Sequence, residues 1–230
     1  MILRILVVTP YYFPENFKIN DFTEALREKG HITSVLAPIP NYPKGDYYRG
    51  YSLTKKRYEK IKGEKIFRVP VIPRKSGSNL RLALNYLSFI LFSIIPMRKI
   101  IKNEYDLIFV YAPSPITVAI PGLILKKILK IPLVTWVHDL WPESVTSAGN
   151  LKSNIIPSLL LPIVKLIYKN SDKILVSSPG FVDSIIEKKV KKSKIIYFPQ
   201  WAENIFRPIE KSKIKLDGSL KNKFILIFAG

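Results

Sequence analysis

The chain has 230 residues, enough for one large domain with a sizeable core, and its 47% apolar content argues against disorder. It has no cysteine and only two histidines, His31 and His138, which excludes disulfides, thiolate chemistry and multi-histidine metal centres. Against 17 Asp+Glu stand 37 Lys+Arg, a net charge of +20 that fits either a polyanionic neighbour (nucleic acid, anionic membrane, phosphorylated substrate) or a generally lysine-rich surface.

Strand and helix signals alternate from the start. "ILRILVV" is a short, β-branched, buried-strand run closed by Thr9-Pro10. "INDFTEALREKG" then places Ile19, Phe22, Ala25 and Leu26 at helical spacing and stops on Gly30, and "HITSVLAP" is a second strand, completing a βαβ unit. After an insertion the rhythm resumes. The strands "YDLIFVYAP", "IPLVTWVHD", "SDKILVSSP" and "SKIIYFPQ" alternate with helices in "ITVAIPGLILKKILK", "SNIIPSLLLPIVKLIYKN", where prolines should break the helix, and "GFVDSIIEKK". The pattern predicts an α/β, doubly wound, Rossmann-like parallel sheet. The first nine residues lack a small-residue cleavage site, so the reading places the chain in the cytoplasm.

Two segments break the alternation. "YEKIKGEKIFRVPV", within a long Tyr-, Lys-, Pro- and Gly-rich insertion, reads as a hairpin about Lys62-Gly63 near a sheet edge. Leu82 to Met97 is charge-free and flanked by Arg74, Lys75 and Arg81 on one side and Arg98, Lys99 and Lys102 on the other. At sixteen residues it is short of the roughly 20 needed to span a bilayer, so it is a core helix or an interfacial one, with Leu87, Phe89, Leu91 and Phe92 as candidate membrane contacts. A polar connector then leads to "FILIFAG", read as a new buried strand, which sets expected domains at 1–205 and 206–230.

In order, "YYFPENFKINDFTEALREKGHITSVL", "PNYPKGDYYRGY", "VHDLWPES", "VSSPGF" and, more loosely, "FPQWAENIFRP" resemble the N-terminal domain of family 4 retaining glycosyltransferases of GT-B fold. The branch resembled is that of bacterial O-antigen, capsule and colanic-acid transferases, including those moving N-acetyl-fucosamine. The resemblance implies the acceptor-side half of a two-domain enzyme and a nucleotide-sugar donor, UDP-linked, as substrate. It implies no cofactor and no metal. The implied acceptor is lipid-linked, such as a polyprenyl-diphosphate glycan, and the implied location is the inner face of the cell membrane. "FILIFAG" would open the donor-binding half, without which the fragment should be inactive.

Within this picture His138 and Asp139, at the carboxyl end of a parallel strand, are the candidate catalytic residues, His138 contacting the donor sugar by the resemblance. Trp141 and Glu143 follow them, Trp141 walling the pocket; on the alternative reading His138 only satisfies backbone groups and Trp141 is core. Relatives carry a Gly-rich loop after the first strand. Here "PENFKIND" has no glycine; Asn16, Lys18 and Asn20 are candidate side-chain donors to an acceptor phosphate or belong to a capped turn that simply serves the helix start, and Glu15 is a further substrate-binding candidate. Tyr42 and Lys44 either suit a lipid diphosphate or belong to a tyrosine-rich surface loop with no ligand, and Ser178 either caps a helix or lines the cleft.

Three other classes compete. A nicotinamide dehydrogenase needs a G-x-G-x-x-G turn that "VVTPYYFPEN" lacks. A nucleic-acid partner is not expected, because the lysines are scattered and no binding motif occurs. A non-catalytic membrane- and acceptor-binding module, working with a separate donor-binding partner, fits the same residues.

Overall fold

The computed structural model describes residues 1–75, 77–145, 155–202, 207–210 and 223–226. The chain divides into two units, Met1–Pro199 and Gln200–Gly230. The strands of the first are β1 (Arg4–Val8), β2 (Ile32–Pro38), β3 (Tyr58–Ile61), β4 (Glu64–Val69), β5 (Leu107–Ala112), β6 (Leu133–Val137), β7 (Lys173–Val176) and β8 (Ile195–Tyr197). Its helices are α1 (Lys18–Glu28), α2 (Asn79–Phe92), α3 (Ile94–Ile100), α4 (Ala119–Leu129), α5 (Ile155–Asn170) and α6 (Phe181–Glu187). They build one sheet in the order β3-β4-β2-β1-β5-β6-β7-β8. Every pairing is parallel except β3 with β4. This is the expected doubly wound α/β sheet. The hairpin lies at the sheet edge as expected, with Lys62 and Gly63 both at positive φ, as its tight turn requires.

Alternate strand residues face opposite sides, and both sides are covered. On one, Leu6, Val8, Ile108, Val110, Leu133, Val137, Ile174 and Val176 share a core with Phe89 of α2, Met97 of α3, Leu125 of α4 and Ile167 of α5. On the other, Phe22 of α1 stacks on Phe109 at 4.6 Å, and Phe109, Tyr111 and Phe198 surround the fully buried Trp136. Gly122 lets α4 approach the sheet: a Cβ there would lie 2.9 Å from Val110 Cγ2 and 3.3 Å from Leu133 Cδ1.

Three elements differ from the sequence reading. The prolines do not break α5, which runs for sixteen residues with Pro162 inside it. Pro157 sits in the first turn, where its missing N–H has no helical partner to lose, and packing of Val164, Ile167 and Tyr168 holds the helix beyond Pro162. The helical stretch extends beyond the sixteen charge-free residues, since α2 and α3 together cover the 22 residues Asn79–Ile100, including Arg81, Arg98 and Lys99, long and apolar enough by length and composition to cross a membrane. Phe89 is buried in the core rather than free for a lipid surface, because it faces the sheet side of α2. Residues 223–226, the described part of the expected terminal strand, are irregular with Phe224 and Leu226 exposed. A parallel strand needs hydrogen-bonded neighbours, and none pairs with it among the described residues; residues 227–230 lie outside them.

Replacing Gly122 by Ala should lower stability by roughly 1–3 kcal/mol through overpacking against Val110, despite alanine's better helix propensity. Urea unfolding of the variant checks this; an unchanged midpoint would mean that α4 can shift freely.

Candidate active site

A parallel sheet sends all its βα loops out of one edge. β1 connects through α1 to β2 on one side of it, whereas β5 connects through α4 to β6 on the other, so β1 and β5 flank the point where the winding reverses. In such sheets the crevice outside this point is where ligands bind. Here Pro10, just after β1, and Pro115, just after β5, line the same narrow cavity. The loop after β6 is braced to the one after β5 by Trp141 Nε1, which donates to Ser114 Oγ at 3.3 Å.

His138 continues the ladder beyond β6, its N–H donating to Ala112 O at 3.1 Å. Its ring lies against Tyr111 (4.7 Å between centroids) and Trp136 (4.2 Å). Burial in this aromatic setting lowers its pKa to about 4, so at neutral pH it is an uncharged imidazole. Asp139 lies in the bend that follows β6. Burial raises its pKa, opposed by hydrogen bonding from Ser114, from Trp141 and from the Leu140 amide. The two residues therefore occupy different environments: an aromatic pocket for His138 and a braced polar loop for Asp139.

The loop after β1 is organised by Glu15, which is 2% exposed. Its Oε1 accepts from the amides of Asn41 (2.8 Å) and Tyr42 (2.7 Å), and its Oε2 accepts from the Tyr12 amide (3.2 Å). The carboxylate ties the loop after β1 to the loop after β2. Burial pushes its pKa up while those three backbone hydrogen bonds pull it down. Asn20 is likewise occupied, donating to Glu15 O at 2.7 Å and accepting from the Phe13 amide at 3.2 Å. Asn16 and Lys44 are exposed, and Lys18 is the first residue of α1. Tyr42 packs against Tyr11 and Phe17, whose rings stack at 4.1 Å.

Glu143 accepts from Ser184 Oγ at 2.9 Å and pairs with Lys188, joining the loop after β6 to the helix α6. Partial burial would raise its pKa, but Lys188 and Ser184 hold it below the ordinary value. Ser178 Oγ accepts from the Gly180 amide at 3.3 Å, in the turn that precedes α6. Of the residues singled out from sequence, the structure brings His138, Asp139 and Trp141 together at the end of β6, and Glu15, Asn20 and Tyr42 together at the ends of β1 and β2. The sequence reading missed Tyr11 and Ser114, which link these groups to the crevice. The only local signal was their place directly after a strand.

Residues 19–201 match the model of the family described as Glycosyltransferase Family 4. The chain belongs to this family. A colanic acid biosynthesis glycosyl transferase by name, WcaI of Escherichia coli (strain K12), is 27% identical over 87% of this chain and 51% of its own length. Sucrose-phosphate synthase of Thermosynechococcus elongatus superposes with a TM-score of 0.58 at 15% identity, covering 90% of this chain and 50% of that one. UGT89C1 of Arabidopsis thaliana, solved with UDP-L-rhamnose, gives 0.54 at 12% identity, covering 86% and 48%. These likenesses establish the fold as one Rossmann-like half of a GT-B glycosyltransferase, and the chain spans about half the length of these relatives.

Two expectations follow from the site's electrostatics. Replacing Glu15 by Ala leaves three amides without their acceptor and should cost roughly 3 kcal/mol in urea unfolding; a loss within experimental error would mean that the loops after β1 and β2 do not depend on it. For His138 the folded pKa lies below that of the unfolded chain. Its stabilisation is therefore full above about pH 6.5 and is lost as pH falls toward about 4, because the unfolded chain takes up the proton first. A His138→Gln variant should accordingly lose less thermal stability than the parent between about pH 7 and about pH 4.5.

Proposed function

We propose that the full-length enzyme transfers a hexose or N-acetylhexosamine, with retention, from a UDP-linked sugar to a lipid-linked glycan such as a polyprenyl diphosphate. The product would serve cell-surface polysaccharide or lipopolysaccharide synthesis, and the reaction would take place on the cytoplasmic face of the membrane. In this reading the chain is the acceptor-side half and is inactive without the half that binds the donor. The observation that carries it is the placement of an uncharged imidazole, His138, at a strand end within a family 4 domain, beside a loop braced by Trp141. A neutral imidazole donates through one ring nitrogen and accepts through the other, so it can orient sugar hydroxyls without adding charge to a centre where positive charge develops. The name of the E. coli relative supports polysaccharide synthesis as the setting.

The membrane part of the reading rests on an inverted helix. On α2 the buried side holds polar groups: Asn85 Nδ2 donates to Ile72 O at 2.6 Å, and Ser88 Oγ accepts from the Ile72 amide at 2.9 Å. The outer side is apolar, with Leu87 50% and Leu91 58% exposed, continued by Phe92, Ile94 and Ile95. Exposed Arg81, Arg98, Lys99 and Lys102 flank it. An apolar face bordered by cations suits an anionic lipid interface.

In the full-length protein, His138→Ala should reduce kcat by about 100-fold or more with its thermal midpoint little changed; wild-type turnover would remove His138 from the reaction. Leu87→Glu with Leu91→Glu should release the protein from sedimenting anionic vesicles without unfolding it, since both sites are half exposed. Retained vesicle binding would rule out this face as the membrane contact.

A further inference from the structure

Two buried arginines lie close together in sequence and are partnered in opposite ways. Arg68 is fully enclosed and pairs with Glu59 at 2.7 Å through Nη2 and 2.8 Å through Nε, while Nη1 donates to the Pro38 carbonyl and Nη2 to the Phe13 carbonyl. Arg74 is 8% exposed. Its Nε donates to Asn85 Oδ1 at 3.2 Å and its Nη2 to the Tyr11 hydroxyl at 2.8 Å. Among the described residues no carboxylate pairs with Arg74, and Nη1 has no protein acceptor. The guanidinium is instead held among three aromatic rings, 5.0 Å from the centroid of Tyr11, 5.6 Å from Tyr42 and 5.4 Å from Tyr86.

Removing a guanidinium from water without a counter-ion destabilises a fold, and ring contacts offset only part of that. A charge kept this way, next to an arginine that has been neutralised, marks a place prepared for an anion. Its location agrees. Arg74 lines the cavity shared by Pro10, Asn85, Tyr86, Pro115 and Thr117 beside the sheet's winding reversal, a void of about 10 Å³ that a ligand enters only as the surrounding rings move. The neighbouring Lys75 is bound to the turn that carries Lys44, its amide donating to Gly45 O at 2.9 Å. That contact is tight, since a Cβ on Gly45, at φ +84°, would lie 2.0 Å from Lys75 O. The helix α2, with its apolar outer side, begins only five residues beyond Arg74.

We infer that Arg74, in its tyrosine cage, is the binding site for a phosphate or diphosphate group, and that this group is the head of the lipid-linked acceptor. The identity of the ligand, though not the existence of the anion site, rests on the glycosyl-transfer reading above. A guanidinium offers paired donors matched to phosphate oxygens, and their attraction is stronger in a site shielded from water. Tyr42 is 41% exposed, so its ring is the part of the cage that yields to the ligand.

The test is titration calorimetry of the 230-residue chain with inorganic pyrophosphate, farnesyl diphosphate and UDP, on the parent, Arg74→Gln and Arg74→Lys. The expected result is diphosphate binding that weakens at least about tenfold in Arg74→Gln while the thermal midpoint holds or rises, because the buried charge is gone. Tighter binding of farnesyl diphosphate than of pyrophosphate identifies a lipid head, whereas equal affinities identify a free diphosphate and overturn the acceptor assignment, as does preferential Arg74-dependent binding of UDP. Unchanged diphosphate binding together with a lowered midpoint in Arg74→Gln would make the arginine structural and overturn the site. If that variant does not fold, Arg74→Lys keeps the charge but not the paired donors, and undiminished binding there overturns the site equally. Sugar transfer by the full-length enzyme is measured separately: activity with no Arg74-dependent diphosphate binding would sink this site alone, and Arg74-dependent binding without transfer would sink the transfer reading alone.

Discussion

Parallel pairing of β1 with both β2 and β5 is the constraint from which the rest follows. Parallel strands cannot be joined by a tight turn, so each needs a crossover, and every crossover must leave from the same edge. That edge therefore collects the loops after β1, β2, β5, β6 and β7. Because β1 winds one way and β5 the other, their loops diverge and leave a crevice, and His138, Tyr11, Ser114 and Arg74 all belong to its surroundings. No residue had to be selected for proximity to another in sequence.

What turns this edge into a defined site is the way its polar groups are satisfied. A buried carboxylate is costly unless several donors meet it, and Glu15 meets three amides from two different loops. Arg68 and Glu59 solve the same problem as a pair, and near α6 it is the buried Lys188 that is met by the exposed Glu143. These groups hold loops in place. Arg74, without a carboxylate, is of a different kind and lines the cavity beside Pro10 and Pro115, while His138 is kept neutral by burial among Tyr111 and Trp136.

The α2–α3 segment shows how far helical hydrophobicity alone can mislead. A soluble core helix points its apolar stripe inward. Here Phe89 does so, yet Asn85 and Ser88 share the buried side and fasten the helix to Ile72, while Leu87 and Leu91 remain outside. The segment is both part of the core and an apolar surface, so the choice between core and interface posed by its composition does not arise as an alternative.

The sequence by itself determined the α/β alternation, the edge hairpin about Lys62-Gly63 and the arrival of His138 and Asp139 at a strand end, because strand periodicity, turn residues and short apolar runs act locally. It misjudged α5, since the effect of Pro162 depends on how Val164, Ile167 and Tyr168 pack beyond it. Only the tertiary structure decided which polar residues are occupied by the fold. Nothing in "PENFKIND" reveals the amides of Asn41 and Tyr42 that close on Glu15. Arg74 looked like one more surface cation because Tyr11 and Tyr86 come from distant segments. Whether a charged group serves the fold or a ligand depends on what surrounds it in space, and those neighbours are brought together by the sheet.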